Sequence, residues 1–138
     1  MIDIAGESSK AFDATQALTA KGKTVPDAFV CLEALSCAEV ADVLDRAGIH
    51  GKTVIAMDTG EDTMNWLKKG GIRATIAQKP YTMAYFGVRV LDSFHHNKPA
   101  NTDPASNHSA VPIFIDTGAT LVDSSNVASF GTSGTASR

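Results

Sequence analysis

Three polar side chains stand where they could act together. Glu33 follows the apolar run 28–32, Asp58 follows 53–57 and Gln78 follows 74–77. A carboxylate can accept hydrogen bonds from two neighbouring hydroxyls, and an amide both donates and accepts. Bonds to an ionised group are also stronger than neutral ones. If the three runs are neighbouring strands of one sheet, this set at one rim suits a small polar solute, such as a sugar or polyol. Each residue has a plainer alternative. Asp58-Thr59-Gly60 is also turn chemistry, in which Asp58 caps the next helix or turn. Glu33 or Gln78 taken singly reads as a solvated polar residue. Their recurrence at one rim carries the argument.

The residue patterns of catalysis are missing. The sequence holds no Gly-rich phosphate loop, G-x-S-x-G or H-E-x-x-H. The expectation is therefore a chain that is not an enzyme, with no cofactor and no metal ligands. His95-His96 falls at a helix end and reads as a solvated or C-capping pair, while His50 and His108 stand isolated in turns. Cys31 and Cys37 do not have a C-x-x-C spacing and read as two small buried thiols. Trp66 reads as a core anchor or, alternatively, a stacking platform. Asp13, Asp42, Asp45, Glu61 and Asp62 read as solvated helix faces or first-turn acids. Asn107-His108-Ser109 fits the glycosylation pattern, which matters only in a secretory eukaryotic setting.

Short apolar runs and helix-period stretches alternate along the chain and position these residues. Ile2-Asp3-Ile4-Ala5 is a candidate strand. A helix over about 8–21 follows, with Ser8 or Ser9 as its cap. The run 28–32 is continuously apolar, as when helices cover both faces of a parallel sheet. A helix over about 34–47 ends at Gly48. Strand 53–57 leads into a turn and short helix that Gly70-Gly71 stops, and strand 74–77 follows. From Pro80 to about Asn97 the pattern is strongly helical, with Tyr81, Ala84, Tyr85, Val88 and Leu91 on one face. Residues 98–110 read as a loop, 111–115 as a strand that Pro112 places at an edge, and Leu121-Val122 as a brief pairing. Residues 131–138 read as a frayed, disordered tail.

This alternation gives parallel βαβ units, hence an α/β fold with three αβα layers and a mostly parallel sheet. In such open sheets ligands bind beyond the carboxyl ends of the strands, where Glu33, Asp58 and Gln78 stand. The 138 residues fit one domain, and 43% hydrophobic with 20% charged residues suffices for a core. A net charge of −3 with scattered Lys and Arg gives no reason to expect a nucleic-acid partner. No apolar run approaches the roughly 20 residues of a membrane span. Met1 leads straight into Ile2-Asp3-Ile4, so no signal peptide is expected in this chain.

Two stretches carry a family resemblance. Ala74-Thr75-Ile76-Ala77-Gln78-Lys79-Pro80-Tyr81 with its amphipathic helix resembles the hinge-crossing segment of type 1 periplasmic sugar-binding proteins, the ribose- and galactose-binding receptors of ABC transporters. Residues 116–127, Asp116-Thr117-Gly118 through Ser125-Asn126-Val127, resemble their C-terminal signature, a strand and turn closing on an Asn. The resemblance covers roughly 12–130. It implies a periplasmic-binding-protein-like, flavodoxin-type lobe that is incomplete. Residues 1–78 would be part of the C-terminal sugar-binding lobe, 79–110 the hinge-crossing helix and loop, 111–130 the C-terminal strand and turn, and 131–138 the tail.

In this family the strand ends commonly carry Asn, Asp and Gln. Asp58 and Gln78 match, whereas Glu33 stands where Asn is usual and Ala34 where Asp is usual, which points away from ribose toward another sugar or polyol. Glu7 is a weaker candidate. The resemblance further implies a periplasmic or other extracytoplasmic receptor that hands its solute to a membrane permease. A second lobe of similar size is expected to be absent here, so that this chain carries one wall of the cleft and binds sugar weakly or not at all by itself. The uncovered helix face and sheet edge would favour a homo-oligomer or domain-swapped dimer. The alternative function is the effector domain of a LacI-type transcription regulator, which shares the fold but carries a helix-turn-helix. A phosphoreceiver-like domain is a third reading, disfavoured because Ile4-Ala5-Gly6 offers no acidic pair.

Overall fold

A computed structural model describes residues 1–97, 101, 103, 105–106 and 114–130. Its elements run α1 Ser8–Thr19, β1 Ala28–Val30, α2 Ser36–Arg46, β2 Thr53–Met57, α3 Glu61–Lys69, β3 Ala74–Ala77, α4 Pro80–His96, β4 Thr120–Asp123 and α5 Val127–Phe130. The chain divides into two compact units. The first joins Met1–Ala77 to Thr120–Arg138, and the second is Gln78–Ala119.

The first unit is built on a four-stranded sheet of order β1-β2-β3-β4. β1, β2 and β3 run parallel, and β4 returns antiparallel to β3 with Thr120 opposite Ala77. The α/β class and mostly parallel sheet are those the sequence predicts. Register places Phe29 beside Val54, Ala56 beside Thr75 and Thr75 beside Val122, so these side chains share one face. That face is closed: Val54, Thr75 and Val122 are fully buried. Cys37, Val40, Ala41 and Leu44 of α2 and Met64 and Leu67 of α3 pack into the same cluster. α1 packs on α2.

The other face carries Ala28, Val30, Ile55, Met57 and Leu121, of which Val30 is 64% and Leu121 55% exposed. Of the two helical layers expected on this sheet, the described part of the first unit therefore supplies one. The continuous apolar character of run 28–32 does not reflect burial on both sides, since Leu32 is also 70% exposed.

Local chemistry explains several element ends. α3 stops at Gly70, whose left-handed φ of 83° lets its N–H return to the last turn. Gly71 follows because a side chain there would meet the Trp66 ring, with a Cβ lying 2.7 Å from its Cε3. Trp66 packs partly buried on the core, and the Lys69 ammonium sits 4.8 Å from its ring centre. Lys52, at the start of β2, bonds Asp27 at 2.9 Å and the Val25 carbonyl, tying the amino ends of β1 and β2.

Two expectations at the amino terminus need correction. Ile2-Asp3-Ile4-Ala5 is not a strand: the Asp3 carboxylate accepts the Ala5 N–H at 2.8 Å, Glu7 N–H turns back to the Ile4 carbonyl, and Ala5 adopts φ 50°. This local turn removes the backbone groups from any ladder. Neither Ser8 nor Ser9 caps α1, whose N-cap is Glu7 with no side-chain cap bond.

Phe114 and Ile115 are outside any strand, while residues 111–113 of the expected edge strand lie outside the described residues, as do the glycosylation triplet and the 131–138 tail. In the second unit α4 begins with Pro80 in its first turn, where a missing N–H costs nothing. None of its residues is buried. Among the described residues no helix is long and apolar enough to cross a membrane.

Candidate functional site

Because β1 and β2 are parallel neighbours, the loops that leave their carboxyl ends share one rim of the first unit. Asp58 is the first residue beyond β2. Its backbone is held on both sides: its N–H donates to the Ile76 carbonyl at 2.9 Å, and its own carbonyl accepts the Thr75 hydroxyl at 2.6 Å. Thus held, it adopts φ 65°, a left-handed conformation rare for residues other than glycine. Such conformations cost about 1–3 kcal/mol and gather at ligand sites, although aspartate tolerates this one better than most. The N-cap of α3 is Gly60, with no side-chain cap bond.

Glu33 lies three residues beyond β1, in the loop that climbs into α2. Its Oε2 accepts the Leu35 N–H at 3.3 Å, which turns the carboxylate back over the loop. Its Oε1 is buried and has no hydrogen-bond partner among the described residues. A buried polar atom left unpaired costs on the order of 1–3 kcal/mol, more if charged, so this oxygen is poised for a donor.

A mostly apolar groove of about 540 Å³ runs from Met1–Gly6 past Ala11, Ala14 and Leu18 of α1 to the edge of β1, and Glu33 lies at its lining. A second cavity, of about 350 Å³, lies among His50, Lys52, Trp66 and Lys69. It sits by the amino end of β2, away from the rim.

Gln78 directly follows β3 and is exposed. It opens the second unit, whereas Glu33 and Asp58 belong to the first. The structure thus brings Glu33 and Asp58 to one rim of the first unit and puts Gln78 at the start of the next. Glu7 is engaged elsewhere, paired with Lys10 at 2.7 Å. In the second unit Lys79 lies beside Gly118, where a Cβ would come within 3.0 Å of its Nζ. The outgoing and returning segments therefore run side by side.

β4 ends in a closed turn. Asn126 Oδ1 accepts the Asp123 N–H at 2.9 Å, and Asn126 Nδ2 donates to the Leu121 carbonyl at 2.9 Å. The Asp123 carboxylate takes both the hydroxyl and the N–H of Ser125. Those two bonds, with help from the Arg73 charge, hold its pKa below the ordinary value.

One participant escaped sequence reasoning. Thr75 reads as one residue of an apolar strand, yet its buried hydroxyl fixes the Asp58 carbonyl. Cys31 and Cys37 lie on either side of Glu33. A hydrogen bond from Cys37 lowers the Cys31 thiol to about 7 against the opposing effect of burial, and the same bond, reinforced by burial, pushes Cys37 up. Both are free and buried, as the sequence reading expects.

Comparison with known proteins agrees with this arrangement of elements. A family model described as a periplasmic binding protein domain matches residues 2–98. No curated protein matches the chain. Among solved structures it is similar to GanP, a glucose-galactose binding protein from Geobacillus stearothermophilus, with 26% identity and a TM-score of 0.70 over 86% of this chain and 39% of that one. It is similar to AraP, an arabinose binding protein from the same organism, with 26% identity and a TM-score of 0.67 over 91% and 42%. An ABC transporter solute binding protein from Agrobacterium vitis, bound with alpha-D-tagatopyranose, gives 25% identity and a TM-score of 0.71 over 92% and 39%. The chain spans about two fifths of the length of these solved chains.

Proposed function

Because this chain belongs to the periplasmic binding protein domain family, we propose that the rim beyond β1, β2 and β3 forms one wall of a cleft for a monosaccharide or related polyol. The observation that carries this reading is the buried Oε1 of Glu33, which has no partner among the described residues, on the same rim as the conformationally held Asp58. Two carboxylates so placed accept hydrogen bonds from hydroxyls at neighbouring positions of a sugar ring, and Gln78 adds a group that both donates and accepts. The similar proteins bind glucose or galactose, arabinose and tagatose, which supports a pentose or hexose as the solute.

In this role the protein binds and releases rather than catalyses. It acts outside the cytoplasm and delivers solute to the permease of an ABC transporter. α4 crosses a hinge toward the opposite wall, and closure of the two walls excludes water and signals the loaded state. With one wall alone, half the contacts are missing and water stays in the site, so affinity is weak. The exposed stripe of α4 and the open edge of β1 favour pairing with a second copy, in the manner of an exchanged element. Light scattering across a concentration series should then show mass rising above that of the monomer.

Amide NMR spectra recorded with D-galactose, L-arabinose and D-tagatose at high millimolar concentration test the site. Shifts confined to residues near Glu33, Asp58 and Gln78, abolished in Asp58→Ala, are the expected result. Saturable shifts elsewhere, or none with any sugar, would overturn the assignment.

A further inference from the structure

The cavity among His50, Lys52, Trp66 and Lys69 lies at the opposite end of β2 from the rim. Lys52 precedes β2 and Asp58 follows it, so five extended residues, about 16 Å, separate the two. A ring-sized solute at one end does not touch the other. The walls come from the last turns of α2 and α3 and from the turn that enters β2. The apolar part of the lining is Ala41 and Leu44, both buried, with Ile49 and the Trp66 ring partly so. Space remains because glycine stands at 51, 70 and 71, and at 71 a side chain would collide with the Trp66 ring. The volume of about 350 Å³ falls within the range of small-molecule sites, about 300–1,000 Å³.

The charged groups of the lining are Lys52 and Lys69 against Asp45. Asp27 Oδ1 and the Val25 carbonyl take two of the three ammonium N–H groups of Lys52 and leave the third. Those two bonds fix the Lys52 side chain, which is only 21% exposed, while Asp27 itself is wholly exposed and screened by water. The Lys69 ammonium is drawn toward the Trp66 ring, 4.8 Å from its centre, and forms no ion pair among the described residues. The carbonyls that end two helices would by themselves favour a cation. Here they are already taken: Gly70 and Gly71 N–H groups donate to the Leu67 and Trp66 carbonyls, and the Ile49 N–H donates to that of Leu44.

We propose that this cavity is a second binding site, for a small carboxylate with an apolar body. The body packs against Leu44, Ile49 and the Trp66 ring, and the carboxylate accepts from the remaining Lys52 N–H and from the Lys69 ammonium. A neutral polyol would leave the apolar lining uncovered, and a cation would meet two lysines. The inference stands apart from the sugar reading, since it uses none of the rim residues.

Trp66 is the only tryptophan in the chain, so its fluorescence reports on this cavity. Titrating the purified chain with benzoate should give a saturable change in emission. Benzamide has the same body without the charge and should bind about threefold to fivefold more weakly, the size of an exposed ion pair. Acetate has the charge without the body and should not saturate over the same range. Lys69→Met keeps the side-chain stem and should weaken benzoate by a similar factor, as should high salt in the wild type. Amide NMR should place the benzoate shifts within residues 45–52 and 66–71, with Glu33 and Asp58 unmoved. Equal binding of benzamide, or an affinity that Lys69→Met leaves unaltered, overturns the charge complement and with it the proposal. Saturation by acetate, no saturation by benzoate, or shifts confined to other residues also overturns it. Cavity amides that shift with protein concentration alone would assign the cavity to contact with a second copy, again overturning the proposal.

Discussion

α2 and α4 offer the same signal in sequence and meet opposite fates. Each has an apolar stripe at helical spacing. α2, with 11 residues, buries Val40, Ala41, Val43 and Leu44 together with Ser36 and Cys37. α4 has 17 residues and buries none. Its Tyr81 is 82% and its Leu91 68% exposed. The difference lies in what each stripe faces. The stripe of α2 lies over the closed face of the sheet, against Val54 and Ala56. That of α4 belongs to the unit that the chain enters after Ala77 and leaves before Thr120. Amphipathic periodicity therefore specifies a face that should be buried, and it says nothing about whether the partner is present.

The strongest test makes one chemical change in the buried helix. Leu44 is 5% exposed within the cluster. Leu44→Ala should lower stability by about 3 kcal/mol, within the range for emptied core sites, as read from the midpoint of urea unfolding. A loss under about 1 kcal/mol would mean that the α2 face is not close-packed, and the contrast with α4 would fail.

A smaller effect is expected where the second unit returns to the first. Gly118 has φ 81°, and the Lys79 side chain lies across the position of its missing Cβ. Lys79 is flexible at its end and can move aside, so the backbone conformation dominates. Gly118→Ala should cost about 1 kcal/mol in the same unfolding measurement. An unchanged midpoint would show that the return segment does not hold this conformation, leaving the second unit less defined than the first.

The mirror of the first test lies on α4. Leu91→Ala should change monomer stability by less than about 0.5 kcal/mol, as exposed positions do. The measurement is best made at two protein concentrations. If Leu91→Ala costs as much as Leu44→Ala, and only at the higher concentration, the stripe is covered by a second copy in solution. The comparison would then describe the isolated chain alone.

How far the sequence could be read depends on the same distinction. β2 and β3 fall on residues 53–57 and 74–77 as expected, because continuous apolar runs bounded by glycines and charged residues leave little choice. Pro80 marks the start of α4, and Gly70 marks the end of α3 through a left-handed φ. Ile2-Asp3-Ile4-Ala5 misled because a strand needs a paired neighbour, and a short local turn competes successfully when none is hydrogen-bonded to it.

The candidate site was legible only as residue types at strand ends. That Asp58 adopts a positive φ depends on Ile76 and Thr75, which are distant in sequence. That one Glu33 oxygen is buried with no partner among the described residues depends on how the loop folds back over it. Neither fact has a local signature.

The smallest effect concerns acid. Asp27 and Asp123 both belong to the first unit, and both are held below the ordinary carboxyl value of 3.8. Asp27 is lowered by its hydrogen bond and ion pair with Lys52, and Asp123 first by the Ser125 bonds. A carboxyl whose folded pKa is depressed contributes stability that is fully present above its unfolded pKa. The contribution is lost as pH falls through the folded value. The unfolding midpoint should therefore be insensitive to these groups above about pH 5 and should decline below about pH 4. Asp27 is fully exposed and Asp123 partly so, so water and salt screen the effect, and it should shrink as ionic strength rises. Asp27→Asn should remove part of the acid slope and lower the neutral midpoint by a correspondingly small amount. If the wild-type slope persists in Asp27→Asn and in Asp123→Asn, the acid sensitivity arises elsewhere. The ties at the two ends of this sheet would then be geometric features without a measurable share in its stability.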